Sequence, residues 1–394
     1  METHFARRMQ RVSASAIMEL IKTTAGGNFI SFASGLPDPS LFPARELRDI
    51  TDDILTRDDN NALQYGAAEG FAPLRDWVAQ RLRERGLKAT AENVLITSGS
   101  QQALDLVARA LLDAGDTVLM ESPSYLAAIQ AFDSYEVNYV TLPMDEDGMD
   151  TAALEKALAS CSPKLIFTLP NFQNPTGITL SAERRQRVAE LAAAKDIPIL
   201  EDDAYYDLRY DGEPLPPIAS LAENRWAFYT GTFSKTIAPG IRVGWVYGDA
   251  DLIARLAQLK QITDLHSNSL TQRIAYEFCA RGKLPGQIEF LCRAYKEKRD
   301  AMLTALQHSM PPSVRWTHPQ GGMFLFLTLP DGQDGDALLP HAMERGVVFV
   351  PGASFHPNGG GANTVRLNFV SPPHQDIERG ITLLAQTIVS TGRA

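Results

Sequence analysis

Between residues 94 and 247 the chain repeats one pattern. Short apolar runs, at 94–97, 117–120, 137–142, 164–169, 197–200, 226–229 and 242–247, alternate with polar stretches, several of them at helical spacing. Runs this short and this uniformly apolar are buried on both faces, and strands joined through helices run parallel. The expected fold is therefore α/β, with a mostly parallel seven-stranded sheet sandwiched by helices. In such a sheet the ligand groups gather outside the carboxyl ends of the strands. The residues that follow each run are accordingly where chemistry is to be sought.

Beyond residue 282 the pattern changes. Gly282 to Gly286 reads as an interruption, and 288–309 as a long charged helix of the kind that links domains. Three strand-like segments (around 323–327, 347–350 and 365–369) and a terminal helix over 374–391 then suggest a smaller α+β domain. The expected division is 1–44 as an N-terminal arm and part of the small domain, 45–285 as the large domain, and 286–394 as the small domain. A helix is expected over 13–22, with Ile17, Leu20 and Ile21 on one face.

Composition narrows the function. With 394 residues there is enough chain for two cores. A net charge of −10 disfavours nucleic acid and anionic membranes as partners. No apolar run nears the roughly 20 residues of a membrane helix, and residues 1–11 lack the apolar core of a signal peptide. Cys161, Cys279 and Cys292 are few and far apart, as reduced thiols would be, with no metal spacing. A cytoplasmic protein is expected.

The strand ends carry distinct groups. Thr232, Ser234 and Lys235 follow the run at 226–229, and Arg242 comes after a Pro-Gly turn. Burial favours a neutral, nucleophilic lysine amine, while the two hydroxyls and the guanidinium suit an anion beside it. Ser98-Gly99-Ser100-Gln101 opens a helix after the first run, and free backbone N–H groups there bind anions. Asn174 lies in an Asn-Pro-Thr-Gly turn. After 197–200 two registers of Asp-x-x-Tyr are possible, Asp202 with Tyr205 or Asp203 with Tyr206, and alternation along a strand lets only one acid serve. Arg366 stands inside an apolar strand and needs an anion if buried.

The segment from Thr232 to Gly244 resembles the Schiff-base lysine segment of pyridoxal-phosphate enzymes of fold type I, in particular the class I/II aminotransferases. The other landmarks follow in that family's order along nearly the whole chain. The resemblance implies pyridoxal 5′-phosphate as cofactor, held through Lys235. It implies Asp202 at the pyridine nitrogen, Asn174 and Tyr205 at the ring hydroxyl, and Tyr125 stacked on the ring. Ser100, Gln101, Thr232, Ser234 and Arg242 would hold the phosphate, with Tyr65 reaching over from the second subunit of a homodimer. Arg366 would bind the substrate carboxylate, beside the Gly35-Leu36 loop. The register with Asp202 and Tyr205 is chosen on this basis.

The early segment resembles that of the subgroup with α-aminoadipate, kynurenine, aromatic and branched-chain aminotransferases. Some aminoadipate users carry an arginine near the position of Met18, whose apolar side chain here favours large neutral or aromatic L-amino acids, with 2-oxoglutarate as acceptor. Glutamate must also fit, so Lys22 or Arg11 is a candidate cation for its second carboxylate. The same fold also serves β-lyases and decarboxylases, and sensor domains of transcription regulators. The latter carry a DNA-binding domain ahead of the fold, for which about 40 residues are too few.

Overall fold

A computed structural model of the chain describes residues 4–12, 20, 29–57 and 60–392. The expected helix over 13–22, including Met18 and Lys22, lies almost wholly outside the described residues.

The large sheet has seven strands: β1 (Val94–Thr97), β2 (Thr117–Glu121), β3 (Asn138–Leu142), β4 (Leu165–Thr168), β5 (Ile199–Asp202), β6 (Ala227–Thr232) and β7 (Gly244–Tyr247). Their order across the sheet is β1-β7-β6-β5-β4-β2-β3. Only β7 is antiparallel to its neighbours, so six strands end on the same edge. Side-chain alternation splits the core in two. Leu95, Val246, Phe228, Leu200, Phe167 and Met120 pack on one face. Ile96, Trp245 and Tyr229 pack on the other, in continuity with Ile199, Ile166 and Leu119. Every one of these side chains is buried, which is what a parallel sheet covered on both faces requires.

The C-terminal part builds a second sheet of β8 (Arg315–Trp316), β9 (Phe324–Thr328), β10 (Val350–Pro351) and β11 (Thr364–Asn368), in the order β8-β9-β11-β10. The helices Lys283–Ser309 and His374–Thr391 pack against each other beside it. Ile30 and Phe32 join this core, and Ile30–Ser31 pairs in parallel with Val347–Val348. The N-terminal segment thus crosses into the C-terminal layer and carries the Gly35 loop to the sheet edge.

The helix boundaries differ from expectation at two places. Gly282 does not open a break through Gly286. It caps the helix Lys283–Ser309 in a left-handed conformation, and Pro285 falls in the first turn, where a missing N–H has no intrahelical partner to lose. The stretch 251–280 is two helices, Ala250–Asp264 and Ser269–Ala280, parted by Leu265 at φ 65° and restarted by the Asn268 side chain, which accepts from the Thr271 amide. Two helices, Leu126–Asp133 and Gly335–Glu344, were not legible in the sequence, being short, with Pro340 inside the second.

Candidate active site

A cavity of about 260 Å³ opens at the edge where the parallel strands end, lined among others by Gly35, Leu36, Ser100, Tyr125, Asp202 and Lys235. Each wall has a distinct character.

One wall is an anion cradle. Ser100 and Gln101 begin the helix Ser100–Leu111, whose first N–H groups lack intrahelical acceptors. Thr232 Oγ1 and Ser234 Oγ lie 2.8 Å apart at the end of β6, and the Ser234 amide donates to Thr232 Oγ1. Arg242 donates through Nη2 to the Ser98 carbonyl at 3.0 Å. Two glycines make this closeness possible. A Cβ on Gly99, which sits at φ 79°, would come within 2.3 Å of Arg242 Nη2, and one on Gly244 within 2.7 Å of the Ser100 nitrogen. The Gln101 side chain turns away and donates to the Ala127 carbonyl, which leaves its backbone for the cradle.

Opposite stands an acid. Asp202 is 3% exposed and accepts from Thr230 Oγ1 at 2.7 Å. Burial is the main cause that raises its pKa, to about 6; Asp203 adds to the rise, while Thr230 and Lys235 oppose it. Asp203 points elsewhere. It accepts from Asn171 Nδ2 at 2.9 Å and from the Tyr229 hydroxyl at 2.8 Å, and Arg85 donates to that same hydroxyl at 2.6 Å. The two registers that the sequence leaves open therefore have different surroundings: Asp202 and Tyr205 face the cavity, whereas Asp203 is built into a buried network and Tyr206 lies under the Arg85 guanidinium.

Lys235 lies between cradle and acid. Its Nζ makes one long contact, 3.4 Å to the Gly35 carbonyl, and stands 6.0 Å from the Tyr205 ring centre. Burial, with Arg366 and Arg242 nearby, pushes its pKa down to about 8 against the pull of Asp202. Tyr125 lines the same wall, its hydroxyl pushed up to about 12 by burial and by Asp202. Asn174 accepts from Arg366 Nη1 at 3.0 Å and lies beside the Tyr205 hydroxyl, whose pKa burial raises.

Arg366 is 2% exposed, donates through Nη2 to the Ala33 carbonyl, and lies over the Phe324 ring at 4.3 Å. Its Nε has no hydrogen-bond partner, and none of the ion pairs among the described residues involves it. Burial lowers its pKa to about 10. A buried guanidinium without a counter-ion is costly, and it is the kind of group an incoming carboxylate stabilises.

Two expected residues lie apart from this cluster. Tyr65 is 77% exposed and packs edge-on against His266. Arg11 donates to the Val137 carbonyl, at the start of β3 and so at the sheet edge away from the cavity, which removes it as the cation for a second carboxylate in this chain's own cavity.

Other residues of the site carry no motif. Thr230 holds Asp202, and its only sequence signal is sharing a strand face with Thr232. Asn368 Nδ2 donates to the Ser34 carbonyl at 2.7 Å and reaches that of Leu36 at 3.4 Å, tying down the Gly35 loop. Lys298 holds the far end of that loop through Asp38 at 2.5 Å.

An unpaired amine between an anion cradle and a buried carboxylate is a fit for an aldehyde that carries a phosphate at one end and a basic ring nitrogen at the other. Comparison with known proteins agrees. The family model for aminotransferase class I and II matches residues 28–384. The chain is 42% identical over 393 residues to aromatic-amino-acid aminotransferase 1 of Thermococcus litoralis, covering 98% of this chain and 94% of that protein. It is 40% identical over 387 residues to the 2-aminoadipate transaminase of Thermus thermophilus, covering 98% and 96%. Among solved structures, the kynurenine aminotransferase of Pyrococcus horikoshii superposes with a TM-score of 0.96 at 41% identity, over 100% of this chain and 98% of that one. The chain belongs to the class I and II aminotransferases. It is a fold type I enzyme that depends on pyridoxal 5′-phosphate.

Proposed function

We propose that the enzyme transfers the amino group of L-amino acids with large neutral or aromatic side chains to a 2-oxo acid, with 2-oxoglutarate as acceptor. The observation that carries the reading is Arg366, a buried cation beside the cavity with no anion of its own. Its planar fork matches a carboxylate. The substrate class rests on what surrounds it. Leu36 lines the cavity, and Phe355, Phe326, Ala33 and Leu126 cluster nearby with Leu20 packed against them. Among the described lining residues the only cations are Lys235 and Arg242, both assigned below to the cofactor's end of the site, so nothing there favours a second carboxylate on the donor.

Bound in this cavity, pyridoxal 5′-phosphate supplies an electron sink for the bond broken at the substrate Cα. The chain's own residues do the rest. The Ser100 helix, Thr232, Ser234 and Arg242 hold the phosphate. Asp202 keeps the ring nitrogen protonated, Tyr205 and Asn174 bind the ring hydroxyl, and Tyr125 stacks on the ring. Arg366 fixes the carboxylate and so aims the Cα–H bond. Lys235 Nζ would be the base that takes the Cα proton and the acid that gives it back. Donor and acceptor use the site in turn, which gives ping-pong kinetics.

The assembly in this reading is a homodimer in which Tyr65 serves the neighbour's phosphate. Tyr65 is exposed and packs against His266, and their sequence neighbours Leu63 and Leu265 are each more than half exposed, which suits an interface. Sedimentation is expected to give twice the mass of one chain.

The test is a donor panel with 2-oxoglutarate. Leucine, phenylalanine and similar donors are expected to exceed 2-aminoadipate in kcat/KM. Arg366→Leu is expected to lower kcat/KM for every α-amino acid by about 10²–10³-fold, the effect of leaving a carboxylate without its buried partner. A variant of normal KM and kcat would remove Arg366 from the site, and a 2-aminoadipate preference would remove the substrate class.

A further inference from the structure

Behind the anion cradle lies a second charged cluster that faces no ligand. The Lys260 side chain is fully buried, yet it carries an ammonium. Its Nζ donates to both carboxylate oxygens of Asp264 and to Gln102 Oε1, each at 2.8 Å. Gln102 Nε2 donates to Asp264 Oδ2 at 2.7 Å, and Gln102 Oε1 accepts from the Ser98 amide at 2.8 Å. The Ser98 hydroxyl donates to Asp264 Oδ2 at 3.2 Å. Both donors of Ser98 are thus pinned, while its carbonyl accepts from Arg242 Nη2 at 3.0 Å. Through one residue the cluster fixes the turn that aims the Ser100 helix and the guanidinium that closes the cradle.

We propose that Lys260, Asp264 and Gln102 are positioning residues that set the affinity of the cradle for the phosphate group. The inference rests on the reading of this cavity as the cofactor site. The physical reason is pre-organisation. A cradle of backbone amides and one arginine binds an anion well only if its donors already converge, because ordering them on binding reduces affinity. Apart from the cluster, the turn is held by short-range bonds, from the Gly99 amide to the Thr97 carbonyl at 2.8 Å and from Thr97 Oγ1 to the Gly99 carbonyl at 2.9 Å, and by a long contact of the Ser98 hydroxyl with Ser267 Oγ at 3.5 Å. Gly99 contributes no side chain, and its left-handed conformation is one that glycine readily leaves. The Lys260–Asp264 pair lies within one helix and does not depend on the turn, so with Gln102 it offers the Ser98 amide and hydroxyl acceptors that are already fixed in place. The cluster touches neither the ring end of the cavity nor Lys235, so its direct effect falls on the phosphate end, and it reaches the Lys235 amine only through the charge of Arg242.

This placement makes the proposal testable with two ligands. Pyridoxal carries the same aldehyde and ring as pyridoxal 5′-phosphate but no phosphate. Lys260→Met and Gln102→Met are made in the full chain. Asp264 is 28% exposed, so water can replace the ammonium in the first, and the second leaves the Lys260–Asp264 pair intact, which keeps both foldable. Apoprotein is titrated with each ligand, and the visible absorbance band that depends on Lys235 is followed. Both variants are expected to bind pyridoxal 5′-phosphate roughly tenfold or more weakly, the scale of losing a hydrogen bond to a charged group, and to bind pyridoxal as the unaltered chain does. Equal weakening for both ligands would reduce the cluster to ordinary fold stability, and unchanged affinity for both would overturn the proposal. If the unaltered chain binds neither ligand in a Lys235-dependent way, the cofactor reading of the cavity falls, and the proposal with it.

Discussion

Lys235→Ala is expected to lower kcat by about 10⁴-fold or more, because one side chain is asked both to hold the cofactor and to carry the proton. The expectation follows from position. Among the described residues its amine is the nucleophile that stands between cradle and acid, and its hydrogen bond to the Gly35 carbonyl is long and weak. The pH dependence is a sharper test. Burial, Arg366 and Arg242 disfavour the ammonium, and Asp202 opposes them less strongly, for a pKa of about 8. The neutral, attacking form therefore dominates above pH 8, and its fraction falls about tenfold for each unit below. Uptake of pyridoxal 5′-phosphate by apoprotein, followed by stopped-flow absorbance, is expected to slow along that curve. Arg366→Leu removes a neighbouring cation and moves the midpoint up, and Asp202→Asn removes an anion and moves it down. A midpoint near the ordinary lysine value, or turnover retained by Lys235→Ala, would contradict the assignment.

What the sequence reveals and what it hides divide along a physical line. The sheet is legible because each of its seven strands is a short apolar run, and because the crossovers Ser100–Leu111, Thr151–Ser160 and Ala182–Ala194 are helical. The chemistry-bearing positions are legible because a parallel sheet brings its strand ends to one edge: Asn174, Asp202 and Lys235 are far apart in sequence and neighbours in space for that reason alone. Contacts that depend on three dimensions from the start are hidden. Gln102 and Lys260 are separated by 158 positions, each inside an unremarkable helix, and no spacing rule joins them. Asn368 reaches the Ser34 carbonyl across 334 positions, because the N-terminal segment returns to pack with the last sheet. The Pro-Gly pair at 285–286 misleads for another reason: residues that break a helix in its interior are harmless in its first turn.

The adjacent aspartates offer the cleanest separation of chemistry from architecture. Asp202→Asn keeps the shape and the bond from Thr230 but removes the charge that would pair with a ring nitrogen. It is expected to lower kcat by about 10²–10⁴-fold. Stability moves the other way. The carboxyl's pKa is raised by burial to about 6, so the fold favours its protonated form. In the apoprotein the ionised form weighs against folding once the pH exceeds the ordinary carboxylate value, and in full above about 6. At pH 7.5 the asparagine variant is therefore expected to melt no lower than the unaltered apoprotein. Asp203→Ala should do the reverse. It strips the acceptor from the Tyr229 hydroxyl and the Asn171 amide and a nearby counter-charge from Arg85, an expected loss of about 2–4 kcal/mol. What remains folded should still turn over substrate, since Asp203 faces the core and Asp202 faces the cavity. Denaturant unfolding and steady-state kinetics on the two variants give four numbers. If Asp203→Ala lost activity without stability, or Asp202→Asn lost stability without activity, the strand would be in the other register, and the acid of this site would be Asp203.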